Sequence, residues 1–134
     1  MRIKRPDQKN AESLLEAARS EMEFTLTLPP QPAAAATIVR NIYECFRMLG
    51  DALLVLQGKE SANHIQPLQV LLQLDITTSR PLQILDHLRR LRHQINYYGY
   101  QPSVEEAQET LAIARSCFQP VYQKIKKEVE LNSR

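Results

Sequence analysis

The sequence predicts an all-α protein, an up-and-down bundle of four to five antiparallel helices. Three observations carry that expectation. Glycine is scarce, only three in 134 residues, while Leu, Ala, Gln and Glu are plentiful, a composition that favours helix. Apolar residues recur at spacings of three and four, and strand-like alternation is close to absent. Short connections join the marked segments, and short connections favour antiparallel neighbours.

The first helix is expected from about Asp7 to Leu26, where Leu14, Leu15, Ala18, Met22 and Leu26 fall on one face. LPPQP, Leu28 to Pro32, ends it, and Pro32 is placed to open the next helix because proline fits a first turn. The second helix should run from about Ala33 to Gln57, with Gly58 as its stop. Its apolar positions, among them Ile42, Tyr43, Phe46, Leu49 and Leu53, cover most of the circumference, so it should be central and largely buried. Arg40, Glu44, Arg47 and Asp51 make one stripe of alternating sign along it. That stripe reads either as a solvated ribbon of ion pairs or as a source of carboxylates for an arginine on another helix.

GKESANH breaks the pattern, and a shorter helix is expected from about Ala62 to Leu74, interrupted or kinked at Pro67. Ser79 is the expected cap of a fourth helix, with Pro81 in its first turn. Leu82, Leu85, Leu88, Leu91, Ile95 and Tyr98 define its inner face, and Gly99 ends it. Ser103-Val104-Glu105-Glu106 has the form of a capping box, so the last helix should run from Val104 to about Leu131, bent at Pro120.

A chain of 134 residues that is 43% hydrophobic and 24% charged is most simply one globular domain, residues 1–134. A formal charge of +2 is too small to imply nucleic acid by itself, so an electrostatic partner must be read from local clustering. Cys45 and Cys117 have no ligand spacing and read as buried free thiols. No apolar run approaches the roughly 20 residues of a membrane span, and no apolar signal-peptide core follows the basic N-terminus, so a cytoplasmic protein is expected. The sequence carries no Gly-rich phosphate loop, no nucleophile triad and no metal-ligand pattern; no cofactor and no metal is expected.

The chemistry-bearing residues gather in RRLRHQINYYGYQPS, Arg89 to Ser103. From Ser79 to Gln101 four arginines stand against one acid, Asp86, a local charge of +3, beside Tyr97, Tyr98 and Tyr100. Cations interleaved with aromatic rings suit phosphate contact plus base stacking. With Leu88 set at zero and about 100° per residue, Arg92 falls near +40°, Asn96 near +80°, Arg89 near +100° and His93 near +140°. These four form one polar strip, with Tyr97 expected on the opposite side. Arg92 leans into the apolar face, where a guanidinium must snorkel out or find a partner.

NIYECFRMLGDALLVLQGKESANHIQPLQVLLQL together with LRRLRHQINYYGY resembles the HEPN superfamily, over roughly Ile38 to Val129. The resemblance implies a HEPN-like core at about 33–131, with the helix at about 7–26 as an addition. It also implies a homodimer whose subunits bring their motifs together in a cleft, RNA or nucleotide as ligand, and a nucleotidyltransferase partner of the toxin-antitoxin type. Ribonucleases of the family carry Arg and His separated by four residues. Arg92 matches the motif arginine, His93 takes the place of a usual Asn, and Tyr97 stands where the catalytic His belongs.

Metal-independent RNA cleavage needs a base for the 2′-hydroxyl and an acid for the leaving oxygen, which imidazole suits. A phenol, with its ordinary pKa of about 10, is a poor base at pH 7. The catalytic candidates are therefore Arg92, His93 and Tyr97, and the binding candidates Arg89, Arg92, Asn96 and Tyr100. His64 matches a histidine of the family's turn, and His87 is expected to face solvent. Three readings follow: an RNA- or nucleotide-binding dimeric module with a degenerate nuclease motif, an active endoribonuclease toxin, and a structural interaction bundle. In the third, Arg92 pairs internally with Glu44 or Asp51.

Overall fold

The computed structural model describes residues 2–3, 5–61, 63 and 65–132. Its helices are α1 (Gln8–Thr25), α2 (Ala35–Leu56), α3 (Gln66–Leu72), α4 (Ile84–Tyr98) and α5 (Val104–Asn132). Two short strands, β1 (Arg2–Ile3) and β2 (Lys59–Glu60), pair antiparallel with Arg2 opposite Glu60. The all-helical bundle expected from the sequence is what forms.

Helix α2 is the centre. It packs against α1, α3, α4 and α5, and its apolar residues bury on nearly every side. Helix α1 is seated on the core: Ala11, Leu15, Ala18 and Met22 bury against α2 and α5. Its N-terminus is capped by Asp7, whose carboxylate accepts from the Asn10 N–H at 3.0 Å. Phe118 of α5 meets Phe46 of α2 edge-on at 5.8 Å, and Tyr122 stacks beside Phe118. Cys45 and Cys117 are buried free thiols, and burial pushes the Cys45 thiol up to about 12 and the Cys117 thiol up as well. Neither is a thiolate nucleophile at neutral pH.

Three helix starts differ from expectation for local reasons. Pro32 opens a turn, not a helix: the Ala34 N–H donates to the Gln31 carbonyl at 2.9 Å, and α2 begins at Ala35. Proline's fixed φ suits the second position of such a turn. Ser79 does not cap α4, which starts at Ile84 after consecutive three-residue-spaced bonds onto the Pro81, Leu82 and Gln83 carbonyls. Pro67 does not kink α3 but lies in its first turn, where its missing N–H costs nothing. Ala62, the expected start of that helix, lies outside the described residues.

Helices α2 and α3 approach closely at Gly50 in α2. A Cβ built there would stand 2.0 Å from the Pro67 carbonyl oxygen of α3, so only glycine fits. This contact seats α3 and, with it, the turn that precedes it. Gly99 closes α4 in the left-handed region (φ 66°), and the Tyr100 N–H reaches back to the Gln94 carbonyl at 3.2 Å. The capping box forms as expected: the Glu106 N–H donates to Ser103 Oγ at 3.0 Å, and the Ser103 N–H donates to the Glu106 carboxylate at 2.9 Å. Helix α5 then runs through Pro120 as one element. No helix is long and apolar enough to cross a membrane, and no group of potential metal ligands occurs, among the described residues.

Candidate functional site

Helix α4 is amphipathic in the strict sense that Leu85, Leu88, Leu91 and Ile95 are its buried residues. They lay it against α2 and leave the arginine strip at the boundary. Tyr98, expected on the inner face, is instead 77% exposed, because α4 outruns the core in its last turn. Arg92 follows Leu91 directly and is half-buried. Its guanidinium carbon lies 5.1 Å from the centroid of the Tyr43 ring on α2, a cation–π contact.

Tyr43 is 1% exposed, and its hydroxyl is buried without a hydrogen-bond partner among the described residues. Burial pushes the phenol up, and the nearby positive charges of Arg92 and Arg47 oppose that shift. Tyr43, Asn63, Ile65, Arg89, Arg92, His93 and Tyr97 enclose a cleft of about 260 Å³. Asn63 shapes its rim: its side-chain carbonyl accepts from the Ile65 N–H at 2.9 Å and the Gln66 N–H at 3.0 Å, satisfying donors at the start of α3.

Tyr97 is on this cleft, not on the opposite side of α4. It lies four residues after His93, and on a helix such residues are neighbours. The His93 and Tyr97 rings are 4.6 Å apart at a tilt of 39°, and Tyr98 meets His93 edge-on at 5.9 Å. Two expected binding residues are not part of the cleft. Asn96 is exposed and absent from its lining. Tyr100 points its hydroxyl at Glu106, donating at 2.5 Å, and so braces the capping box. Burial disfavours the Glu106 carboxylate, but the Tyr100 hydroxyl and the Ser103 N–H and hydroxyl together hold it below the usual range. His87 is exposed, as expected, and His64 lies outside the described residues.

The charge pattern separates Arg92 from its neighbours. Asp86 accepts from Arg89 Nε and pairs with Arg90, each at 2.9 Å, and the Arg89 hydrogen bond holds the Asp86 carboxyl below the usual range. Arg80 pairs with Glu109 on α5. Of the four arginines from Ser79 to Gln101, Arg92 alone has no carboxylate partner among the described residues. The expected pairing of Arg92 with Glu44 or Asp51 does not form, because Arg47 binds both carboxylates along α2. Spacings of three and four bring those groups together within one helix, ahead of any partner on α4. Arg40, the fourth member of that stripe, is exposed and, among the described residues, outside this chain of ion pairs.

Asp51 faces a second hollow, of about 360 Å³, lined also by Arg5, Asp7, Lys59 and Glu60. Acids outnumber bases there, which disfavours an anion. The α4 cleft is the reverse, since its charged lining is two arginines. It offers a cation with free donors, a second arginine and a pair of exposed rings. That combination suits a phosphate and a base.

Tyr43, Asn63 and Ile65 are the cleft residues that sequence reasoning did not single out as functional. Tyr43 carried a signal only indirectly: an arginine leaning into an apolar face requires a partner, and an aromatic residue on the neighbouring helix supplies one. No known family model, no curated protein and no solved structure matches the chain.

Proposed function

We propose that the chain is a HEPN-type helical module that binds RNA or a nucleotide in the α4 cleft, working as a homodimer without efficient nuclease chemistry. One observation carries the reading. Arg92 is the arginine of its cluster left without a carboxylate among the described residues, and it lies over a buried aromatic ring in a cleft that the exposed His93 and Tyr97 rings also line. A guanidinium with free donors is a phosphate ligand, and exposed rings are stacking platforms for unpaired bases. The weakness of phenol as a base at neutral pH argues for binding over cleavage. A nucleotidyltransferase partner is implied by the family resemblance, and the cytoplasmic location expected from the sequence belongs to the same proposal.

A metal-independent endoribonuclease is the second reading, favoured by the contact of His93 with Tyr97 beside Arg92. It puts an imidazole, the usual acid–base group of such chemistry, within the cleft. Incubation of RNA with the wild-type protein and with Arg92→Ala, in chelator, separates the two. Intact RNA with a retarded complex that Arg92→Ala weakens supports the binding module. Cleavage that Arg92→Ala abolishes supports the enzyme, and neither cleavage nor binding refutes both.

A further inference from the structure

We infer that Tyr43 is the positioning residue of the cleft: its buried ring holds the Arg92 guanidinium in place for phosphate while leaving that charge uncompensated. The inference deepens the RNA-binding reading and rests on it. Its basis is a contrast between two ways of fixing an arginine. A carboxylate fixes a guanidinium by occupying its N–H donors and cancelling its charge, as Asp86 does to Arg89 Nε and as Glu44 and Asp51 do to Arg47. An aromatic face fixes the same group through the ring quadrupole and leaves its five in-plane N–H donors free.

Arg92 is held in the second way, with its guanidinium carbon 5.1 Å from the Tyr43 centroid and no carboxylate partner among the described residues. Tyr43 is suited to this role because it is fully packed. Its side chain is 1% exposed in the central helix, packed among residues that bury fully, so the platform is rigid and the flexible arginine is ordered on it. Ordering a long side chain in advance lowers the entropy lost when an anion arrives. Arg89, on the same cleft, has one donor committed to Asp86 and is the weaker anion ligand of the two.

The test has a readout that does not depend on ligand. In the wild type, the Arg92 side-chain NMR resonances should carry an aromatic ring-current shift, retained in Tyr43→Phe and lost in Tyr43→Leu. With a short single-stranded RNA as probe, Tyr43→Leu should weaken binding by about tenfold, in the range of a partly desolvated cation–π contact. Tyr43→Phe, which keeps the ring face, should restore that affinity, and Tyr43→Leu should cost nothing further in an Arg92→Ala background. Absence of the ring-current shift in the wild type overturns the inference even if Tyr43→Leu does not fold. So does a folded Tyr43→Leu that binds like the wild type, or one that weakens binding equally with and without Arg92. Failure of the wild type to bind RNA at all, with the ring-current shift present, refutes the RNA reading and the inference with it; the shift tells that failure from the others.

Discussion

Gly50→Ala is the sharpest perturbation of the fold that positions the cleft. The new Cβ would lie 2.0 Å from the Pro67 carbonyl oxygen, 2.5 Å from its carbonyl carbon and 2.8 Å from its Cα. All three are backbone atoms, so no side chain can rotate away. Ordinary contact begins at 3.4 Å, and 3.4 less 2.0 leaves 1.4 Å by which α3 must retreat from α2. Forcing extra volume into a packed interface typically costs about 1–3 kcal/mol, and a backbone clash belongs at or above the top of that range. Alanine regains about 1 kcal/mol of helix propensity over glycine, which leaves a net loss of about 2 kcal/mol. For a chain of this size that is a fall in Tm of roughly 6–10 °C. Thermal melting followed by circular dichroism measures it. An unchanged or raised Tm would refute the close packing of α2 on α3, and with it the placement of Asn63 and Ile65 at the cleft rim.

Three further outcomes are expected. Ser103→Ala removes one half of the capping box and should cost about 1 kcal/mol in urea unfolding; a loss under a few tenths would mean that α5 does not depend on this cap. Tyr43→Phe deletes a buried hydroxyl without a partner among the described residues and should leave stability equal or raise it by about 1 kcal/mol, whereas a clear loss would reveal a hydrogen bond to that oxygen. Asp51 is held above its usual 3.8 by burial, with Arg47 pulling the other way, while Asp86 is held below 3.8 by Arg89. The raised Asp51 favours the fold below its unfolded pKa, an effect lost as pH rises through its folded pKa; the lowered Asp86 favours the fold above its unfolded pKa, an effect lost as pH falls through its folded pKa. Carboxyl carbon NMR titration should therefore order the two midpoints with Asp51 above Asp86, and Arg47→Gln should raise Asp51 further. The reverse order contradicts the assigned environments.

What the sequence disclosed was local. Helix periodicity, the Gly99 stop and the Ser103–Glu106 box all depend on residues within a few positions of one another, and each formed as read. Helix starts near proline are less legible, because a proline that fits a first helical turn fits the second position of a β-turn equally; Pro32 takes the second role. Ser79 has a cap's chemistry but not its place, since α4 begins only at Ile84. The cleft was half legible. The arginine strip follows from helical geometry, but the partner of Arg92 lies on α2 and is set by tertiary packing, which also decides that Gly50 must lack a side chain. Tyr97 falls on the far side of Leu88, yet only about 40° from His93 by the same 100° rule. Stripe geometry alone treats such a gap as a boundary, whereas two large rings bridge it.

The RNA-binding proposal turns on Arg92 as an uncompensated cation presented to a phosphate. Binding of a short single-stranded RNA measured across salt concentrations tests it most directly, with wild type and Arg92→Ala in parallel. The wild type should weaken as salt rises, and Arg92→Ala should bind less tightly with a log–log slope shallower by about 0.7, the loss of one phosphate contact on a single strand. Equal affinity and equal slope for the two proteins, or no binding by the wild type, would contradict the account.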